Sequence, residues 1–482
     1  MTQFIIGVIV LIVGYFTYGK FIDKLFGADE NRETPAFSMQ DGVDYVPLPT
    51  WKVFLIQVLN VIGLGPIFGG VQGALFGSSA FIWIALGCVF AGAVHDYFSG
   101  MMSVRSYGSS ISEVAGDYLG YSARQIMRVF SVILLILTGT VFMTGPADIL
   151  RVQGFLGIKS FKVWLIIIFA YYILATIISI DKIIGKIYPI LGIALLVMAI
   201  GVGGGLIIKG YHMPAFSFAN THPNPGKFPI WAMLFTTIAC GAISGFHSTQ
   251  SPMMARCIKN EKYGHRIFYG AMITEGIIAM VWASAASAYF HGGISGLSTA
   301  LTHYTPAKIV SDISYGIMGP IGGALAILGV VACPITSGDT AFRAVRLTIA
   351  DALKFDQRLI KNRLVIAIPL FVFVYFLAGV NFGMIWRYFA FSNQTLAAIV
   401  LWTATAFLIN HKKNPLFTYL PAIFMTFVCS TYILEAPEGF RLGAKVGTIA
   451  GLVVGALLSI FMTLVVRKAK GKNIVLTKPK KL

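Results

Sequence analysis

The sequence predicts an all-α polytopic membrane protein of about 13 transmembrane helices, with a 5+5 inverted-repeat core, a broken first helix in each repeat, one extra helix before the core and two after. Three observations lead there. Hydrophobic residues make up 57% of the 482-residue chain and charged residues 12%, with mean hydropathy +0.79, against about 25% charge in soluble domains. Apolar runs recur along the whole length, each long enough to cross a hydrocarbon core of about 30 Å. Two of these runs are interrupted by glycine, and a backbone break at membrane depth is tolerated only where protein or a cavity satisfies the freed N–H and C=O groups.

Taken in order, the expected spans are 4–19, 51–76, 79–102, 125–146, 162–180, 187–208, 229–250, 267–290, 320–342, 364–380, 385–410, 415–434 and 443–466. The first follows Met1-Thr2-Gln3 without a basic segment or a small-residue cleavage site, so it reads as a span rather than a secretory signal. With the N-terminus outside and the C-terminus cytoplasmic, 28 of the 37 Lys and Arg fall on the cytoplasmic side. Ser110, Glu113 and Gly120 mark a capped helix in the cytoplasmic loop after the third span. Thr305-Pro306 starts another in the external loop before the ninth span, ending near Gly319. Trp51, Trp164 and Trp231 begin spans, the aromatic-belt position.

The chain divides as 1–50, an accessory helix and loop; 51–208, the first five-helix repeat; 209–410, the inverted second repeat; and 411–482, two accessory helices and a basic tail. The inversion rests on spacing. Glycine interrupts the second span at Gly63–Gly70 and again, five spans later, at Gly241–Ser248, and an odd separation reverses the orientation. The net charge of +18 lies mostly in short loops on one side, which points to anionic headgroups and the bilayer rather than to nucleic acid. Five cysteines with no C-x-x-C spacing give no sign of disulfides or zinc, so no metal or other cofactor is expected beyond Na+ or H+ as a coupling ion.

Gly63-x-Gly65-Pro66-Ile67-x-Gly69, then Ala91-Gly92-Ala93-Val94-His95-Asp96 with Arg105 downstream, and later Ser244-Gly245-Phe246-His247 together resemble the carbon starvation protein A (CstA) family. The resemblance covers roughly the first 350 residues. It implies a bacterial or archaeal inner-membrane transporter, with peptides and, in some members, pyruvate as substrates. It also implies distant kinship with the amino acid–polyamine–cation superfamily. The chain departs from the family pattern at Gly70, where a second proline is common.

The expected substrate site is Asn60, Gly63, Gly65, Pro66 and Gly69 at the first break, with Gly241, Ser244, Gly245 and His247 at the second. A restarted helix presents free N–H groups and the positive end of its dipole to a carboxylate; the plainer alternative is that these glycines only let helices pack. The expected ion site is Thr336, Ser337 and Asp339. Pro334 frees a carbonyl beside two hydroxyls, and in sodium-coupled members of the related superfamily such hydroxyls meet the first broken helix. Both hydroxyls bonding back to their own helix is the alternative, as is an Asp339–Arg343 pair. His95, Asp96 and Glu275 are ionisable residues within spans and candidates for coupling or gating, with a tolerated interfacial position as the alternative for the first two. Asp148 and Asp312 read as caps or salt-bridge partners.

No enzyme signature is present: there is no G-x-S-x-G, no Walker A and no H-E-x-x-H. The expectation is an ion-coupled secondary transporter importing small peptides by alternating access. The alternatives are a pyruvate or small-carboxylate importer of the same fold, a channel, or a carbon-supply receptor.

Overall fold

The computed structural model describes residues 1–471 and 474 apart from 43, 178, 179, 356 and 358, with backbone alone at 177, 180–189, 326, 327 and 351. Its architecture is all-helical. Among the described residues nine helices are long and apolar enough to cross a membrane, and eleven runs are if each of two bent pairs counts as one. Phe161–Thr176 is apolar but shorter.

Burial separates a centre from a periphery. The central windows of Glu261–Tyr289 and Phe382–Asn410 are 89% and 83% buried, whereas those of Ile360–Leu377 and Ala444–Arg467 are 22% buried. A helix apolar all round and largely uncovered by protein faces lipid, so the last two are rim elements. Ala444–Arg467 packs mainly on Leu416–Glu435, to which it presents Gly447, Gly451 and Gly455 against Glu435, Thr431 and Phe427.

The first break is shorter than the glycine pattern suggests. Helix Thr50–Val61 stops, Ile62, Gly63 and Leu64 are non-helical, and Gly65–Gly73 resumes with Pro66 in its first turn, at 49° to the first piece. Gly65, Gly69 and Gly70 therefore lie in the restarted helix rather than in the gap, because proline fits a first turn without losing a bond. The second interruption is longer. Ile230–Leu234 and Phe235–Thr237 are short helical pieces, 238–244 is non-helical, and Gly245–Ala255 resumes.

The loop helix after the third span runs Ile111–Leu119 and stops at Gly120, with φ +104°. Its expected capping box does not form. Glu113 turns to Arg124 and Arg128, and Ser110 Oγ meets Ser112 Oγ at 3.0 Å; two guanidiniums outcompete one backbone N–H for a carboxylate. Pro306 starts the other loop helix, which kinks at Gly319, φ +62°. Of the three tryptophans expected as interfacial anchors, Trp51 is exposed; Trp164 and Trp231 are instead tied inward through Ile158 O and Thr431 Oγ1.

Helix Thr2–Phe26 ends at Gly27, φ +70°, and residues 27–49 then run across one end of the bundle as a strap. Thr34 Oγ1 donates to Ile258 O at 2.6 Å, Leu48 N to Cys257 O at 3.1 Å and Tyr45 OH to Tyr107 O at 3.1 Å.

Candidate functional site

The two breaks touch. A Cβ on Gly65 would overlap Cys240, one on Gly73 would overlap Ile238, and one on Gly69 would lie 3.2 Å from Thr237 O. Gly63 faces the Phe142 ring, Gly241 faces Ala279, and Gly245 lies against the backbone of Asn393 and Ala397. These glycines pack helices together in this conformation, which is the plainer of the two readings of the pattern. The restarted second helix has a donor group already engaged: Phe246 N donates to Asn393 Oδ1 at 2.6 Å, and Ser244 Oγ lies 3.3 Å from the same oxygen. Asn393 was not among the sequence candidates. Its signal was the polar run Ser392-Asn393-Gln394 inside an otherwise apolar helix. Asn60 sits on the last turn before the first break, 1% exposed, and its Oδ1 has no partner among the described residues.

Beside the second break the fold assembles four ionisable side chains into one chain. Asp96 Oδ1 lies 2.8 Å from His95 Nδ1, and Asp96 Oδ2 lies 2.7 Å from His247 Nδ1. His247 Nε2 lies 2.9 Å from Glu275 Oε2, close enough for an ion pair though off the hydrogen-bond direction. All four are 0% exposed. His95 Nε2, His247 Nε2 and both carboxylate oxygens of Glu275 have no hydrogen-bond partner among the described residues. A wide-turned stretch, Trp83–Gly92, leads directly into the helix bearing His95 and Asp96; such turns recur at functional positions because they shift the register of the side chains that follow. The sequence named all four residues as separate candidates. Their joining is tertiary, since they come from the third span, the second broken helix and the eighth span, and no spacing along the chain encodes it.

The same two elements are tied along their length. A Cβ on Gly92 would overlap Ala242 O, Ser99 Oγ lies 3.3 Å from Ser251 Oγ, and Arg256 Nε donates to Gly108 O at 3.0 Å. At the end, Arg105 Nη2 meets the wholly buried Glu261 Oε2 at 3.0 Å and also donates to Gly27 O at 2.6 Å. Asp29 N donates to Glu261 Oε2 at 2.9 Å, so the strap is part of this closure.

At the expected ion site, Ser337 Oγ donates to Leu59 O at 2.9 Å and contacts Cys333 O at 3.1 Å; Cys333 Sγ faces Ile62 O at 3.4 Å. Ser337 is thereby brought to the first broken helix. Thr336 Oγ1 bonds back to Cys333 O at 2.7 Å. Asp339 lies 4.0 Å from Arg343, the i,i+4 arrangement of the alternative reading. No cluster of three or more His, Cys, Asp or Glu suited to a metal ion occurs among the described residues.

At the opposite end from the strap, a cavity of about 430 Å³ is lined by Phe68, Phe382, Thr144, Asp148, Arg151 and Thr305, among others. Its inner wall is aromatic: Phe68 packs on Phe382 and Trp386 at centroid distances of 6.1 and 5.8 Å. Asp148 binds Arg151 at 2.6 Å and accepts from Thr305 Oγ1 at 2.7 Å, and Asp312 pairs with Lys308; both acids are salt-bridge partners.

A family profile described as Carbon starvation protein CstA matches residues 1–222, 159–315 and 285–432. An uncharacterized membrane protein of Haemophilus influenzae is 43% identical over 60% of this chain and 91% of its own length. The peptide transporter CstA of Campylobacter jejuni is 25% identical over 93% of this chain and 82% of its own. The pyruvate/proton symporter BtsT of Escherichia coli is 26% identical over 58% of this chain and 48% of its own. Among solved structures, a nucleobase-cation-symport-1 family transporter in a closed conformation superposes with TM-score 0.52 at 15% identity, over 90% of this chain and 94% of that one. The Eremococcus coleocola manganese transporter does so with TM-score 0.53 at 13% identity, over 90% and 99%. At such identities the likeness is one of fold, and the fold is that of membrane transporters.

Proposed function

The chain belongs to the carbon starvation protein CstA family, and from that premise we propose that it is a proton-coupled secondary transporter importing small peptides across the cytoplasmic membrane by alternating access. The observation that carries the coupling is the buried chain His95–Asp96–His247–Glu275. Four ionisable groups withdrawn from water inside a membrane protein are costly unless they serve a proton or charge pathway. One member, His247, sits on the second broken helix, beside the place expected to hold substrate. The run lengths, the glycine spacing and the Lys and Arg distribution support 13 spans in a 5+5 inverted repeat, with the N-terminus outside and the C-terminus cytoplasmic; in that orientation the Asp148 cavity opens outside and the Arg105 strap closes the cytoplasmic end. The substrate carboxylate would meet the breaks at Asn60, Gly63, Gly65 and Gly245, with His247 beneath it.

A proton is favoured over sodium because Ser337 already satisfies the Leu59 carbonyl by direct donation and Asp339 is directed at Arg343. The peptide is favoured by full-length likeness to proteins named peptide transporters. The likeness to the pyruvate/proton symporter supports a small carboxylate as the second reading. Uptake of labelled dipeptides, tripeptides and pyruvate into proteoliposomes, under separately imposed proton and sodium gradients, tests both. Saturable accumulation of peptide driven by protons alone is the expected result; accumulation of pyruvate alone shifts the substrate, and accumulation under sodium alone overturns the coupling.

A further inference from the structure

An ionised carboxylate only accepts hydrogen bonds, so each Asp96 oxygen draws a proton onto the nitrogen facing it: Nδ1 of His95 and Nδ1 of His247. His247 faces a carboxylate oxygen from both ring nitrogens, with Glu275 on the Nε2 side, and that geometry suits an imidazolium, which carries both protons. The set Asp96 and Glu275 as anions with His247 as a cation has net charge −1, wholly buried. One more proton makes it neutral. The other titratable side chains close enough to feel the charges of Asp96 and Glu275 are the thiols Cys88 and Cys240, and the nearby hydroxyls Ser99 and Ser251 are neutral; none supplies the missing positive charge.

We propose that the exchangeable proton binds at His95 Nε2, and that the chain carries one proton per transport cycle. With His95 neutral, Nδ1 holds its proton toward Asp96 and Nε2 is a bare acceptor, buried and without a partner among the described residues. Protonating it yields the alternating order His95⁺, Asp96⁻, His247⁺, Glu275⁻ along the observed contacts. Protonating Glu275 instead also neutralises the set, but removes the anion opposite His247 Nε2 and leaves that cation with one partner. The proton enters Nε2 from the side open to solvent and leaves the same nitrogen when the opposite side opens, so no other bond is made or broken. It follows that a singly charged carboxylate moves with no net charge, and a zwitterionic peptide moves one positive charge inward.

The inference rests on the proton-coupled reading, and the test separates the two. Histidine-¹⁵N spectra of the full chain in nanodiscs, over about pH 5 to 9, follow each ring nitrogen, with His95→Gln and His247→Gln identifying the two signals. The expected result is a His95 Nε2 that titrates and a His247 that keeps both protons throughout. A silent His95, or a titrating His247, overturns the assignment whether or not the protein moves any solute. In proteoliposomes the ratio of protons to solute is independent of turnover speed. It is expected to fall from about one to below about 0.1 in His95→Gln; a ratio that stays near one in that variant overturns the assignment. Absence of any flux in the unaltered protein defeats the transporter reading and leaves the spectra to judge the proton site.

Discussion

Replacing Glu261 by glutamine keeps the shape of the closure at the strap and removes the carboxylate from it. Glu261 is wholly buried and meets Arg105 Nε at 3.2 Å, Arg105 Nη2 at 3.0 Å and Asp29 N at 2.9 Å, with Arg32 at 3.7 Å. Removing one partner of a buried pair costs about 3–5 kcal/mol in general. Arg105 keeps its 2.6 Å bond to Gly27 O and its stacking over Phe26 at 4.2 Å. The penalty on the closed state therefore comes to about 2 kcal/mol, roughly 30-fold in the ratio of open to closed. Cys257 reports on it. It is 8% exposed, its carbonyl is held by Leu48 N, and burial pushes its thiol up to about 11, so in the closed state little thiolate is available to react. Labelling by a membrane-impermeant maleimide from the strap side, read at the Cys257 peptide by mass spectrometry, tracks the open population when opening is fast relative to reaction. The Glu261→Gln rate is expected to rise by about 30-fold, with thermal stability measured alongside. A rise below about threefold means that the ion pair does not hold this end closed.

Four further substitutions test the breaks. Asn393→Ala removes the acceptor for Phe246 N and is expected to lower stability by about 1–3 kcal/mol with loss of uptake, read by thermal denaturation and transport; unchanged stability would show that the second helix start is held otherwise. Gly65→Ala is expected to destabilise through overlap with Cys240, and Cys240→Gly in the same chain to recover at least about 1 kcal/mol, a coupling measurable as a double-mutant cycle. Additive effects would remove the contact between breaks from the account. Ser337→Ala orphans the Leu59 carbonyl and is expected to cost about 1–2 kcal/mol without introducing sodium dependence; sodium-dependent uptake in the parent protein, lost in this variant, would restore the ion site.

A polytopic, all-helical membrane protein was legible because membrane-crossing is written in composition and run length, and both breaks were legible because glycine and proline act locally; against 13 expected spans, nine to eleven runs among the described residues are long and apolar enough to cross. What local signals could not give was extent. Pro66 reads as a disruption along the chain, yet in a first turn it starts the helix, so the gap closed to residues 62–64. The capping box at Ser110 failed for a related reason: the pattern is local, but Arg124 and Arg128, on the next helix, compete for Glu113. His95, Asp96, His247 and Glu275 were each recognisable as ionisable residues at membrane depth. Their union was not, because it depends on Gly92 and Ala242 letting the third span and the second break approach. Asn393, in the polar run Ser392-Asn393-Gln394, carries no chemistry of its own until its partner is known, which only the fold supplies.

Under the proposed proton coupling, the arrangement links a proton deep in the protein to the closure at the strap. The third span contributes Asp96 and Arg105, nine residues apart and so about 13 Å along a helix. The segment that continues from the second break contributes His247 and Glu261. One tie, Asp96–His247, adjoins the proposed proton site on His95; the other is the Arg105–Glu261 ion pair. Between them Ser99 meets Ser251, and Arg256 meets Gly108 O. Two rigid elements fastened at two points cannot part at one without turning about the other, so opening at the strap requires the two helices to pivot at Asp96 and His247. When His95 is unprotonated the set there is net negative, and any motion that draws His247⁺ from Asp96 leaves that charge uncompensated in a buried site. With His95 protonated the same separation leaves two neutral pairs, His95 with Asp96 and His247 with Glu275. Loading the proton thus lowers the electrostatic cost of opening at the very contact about which the gate must turn.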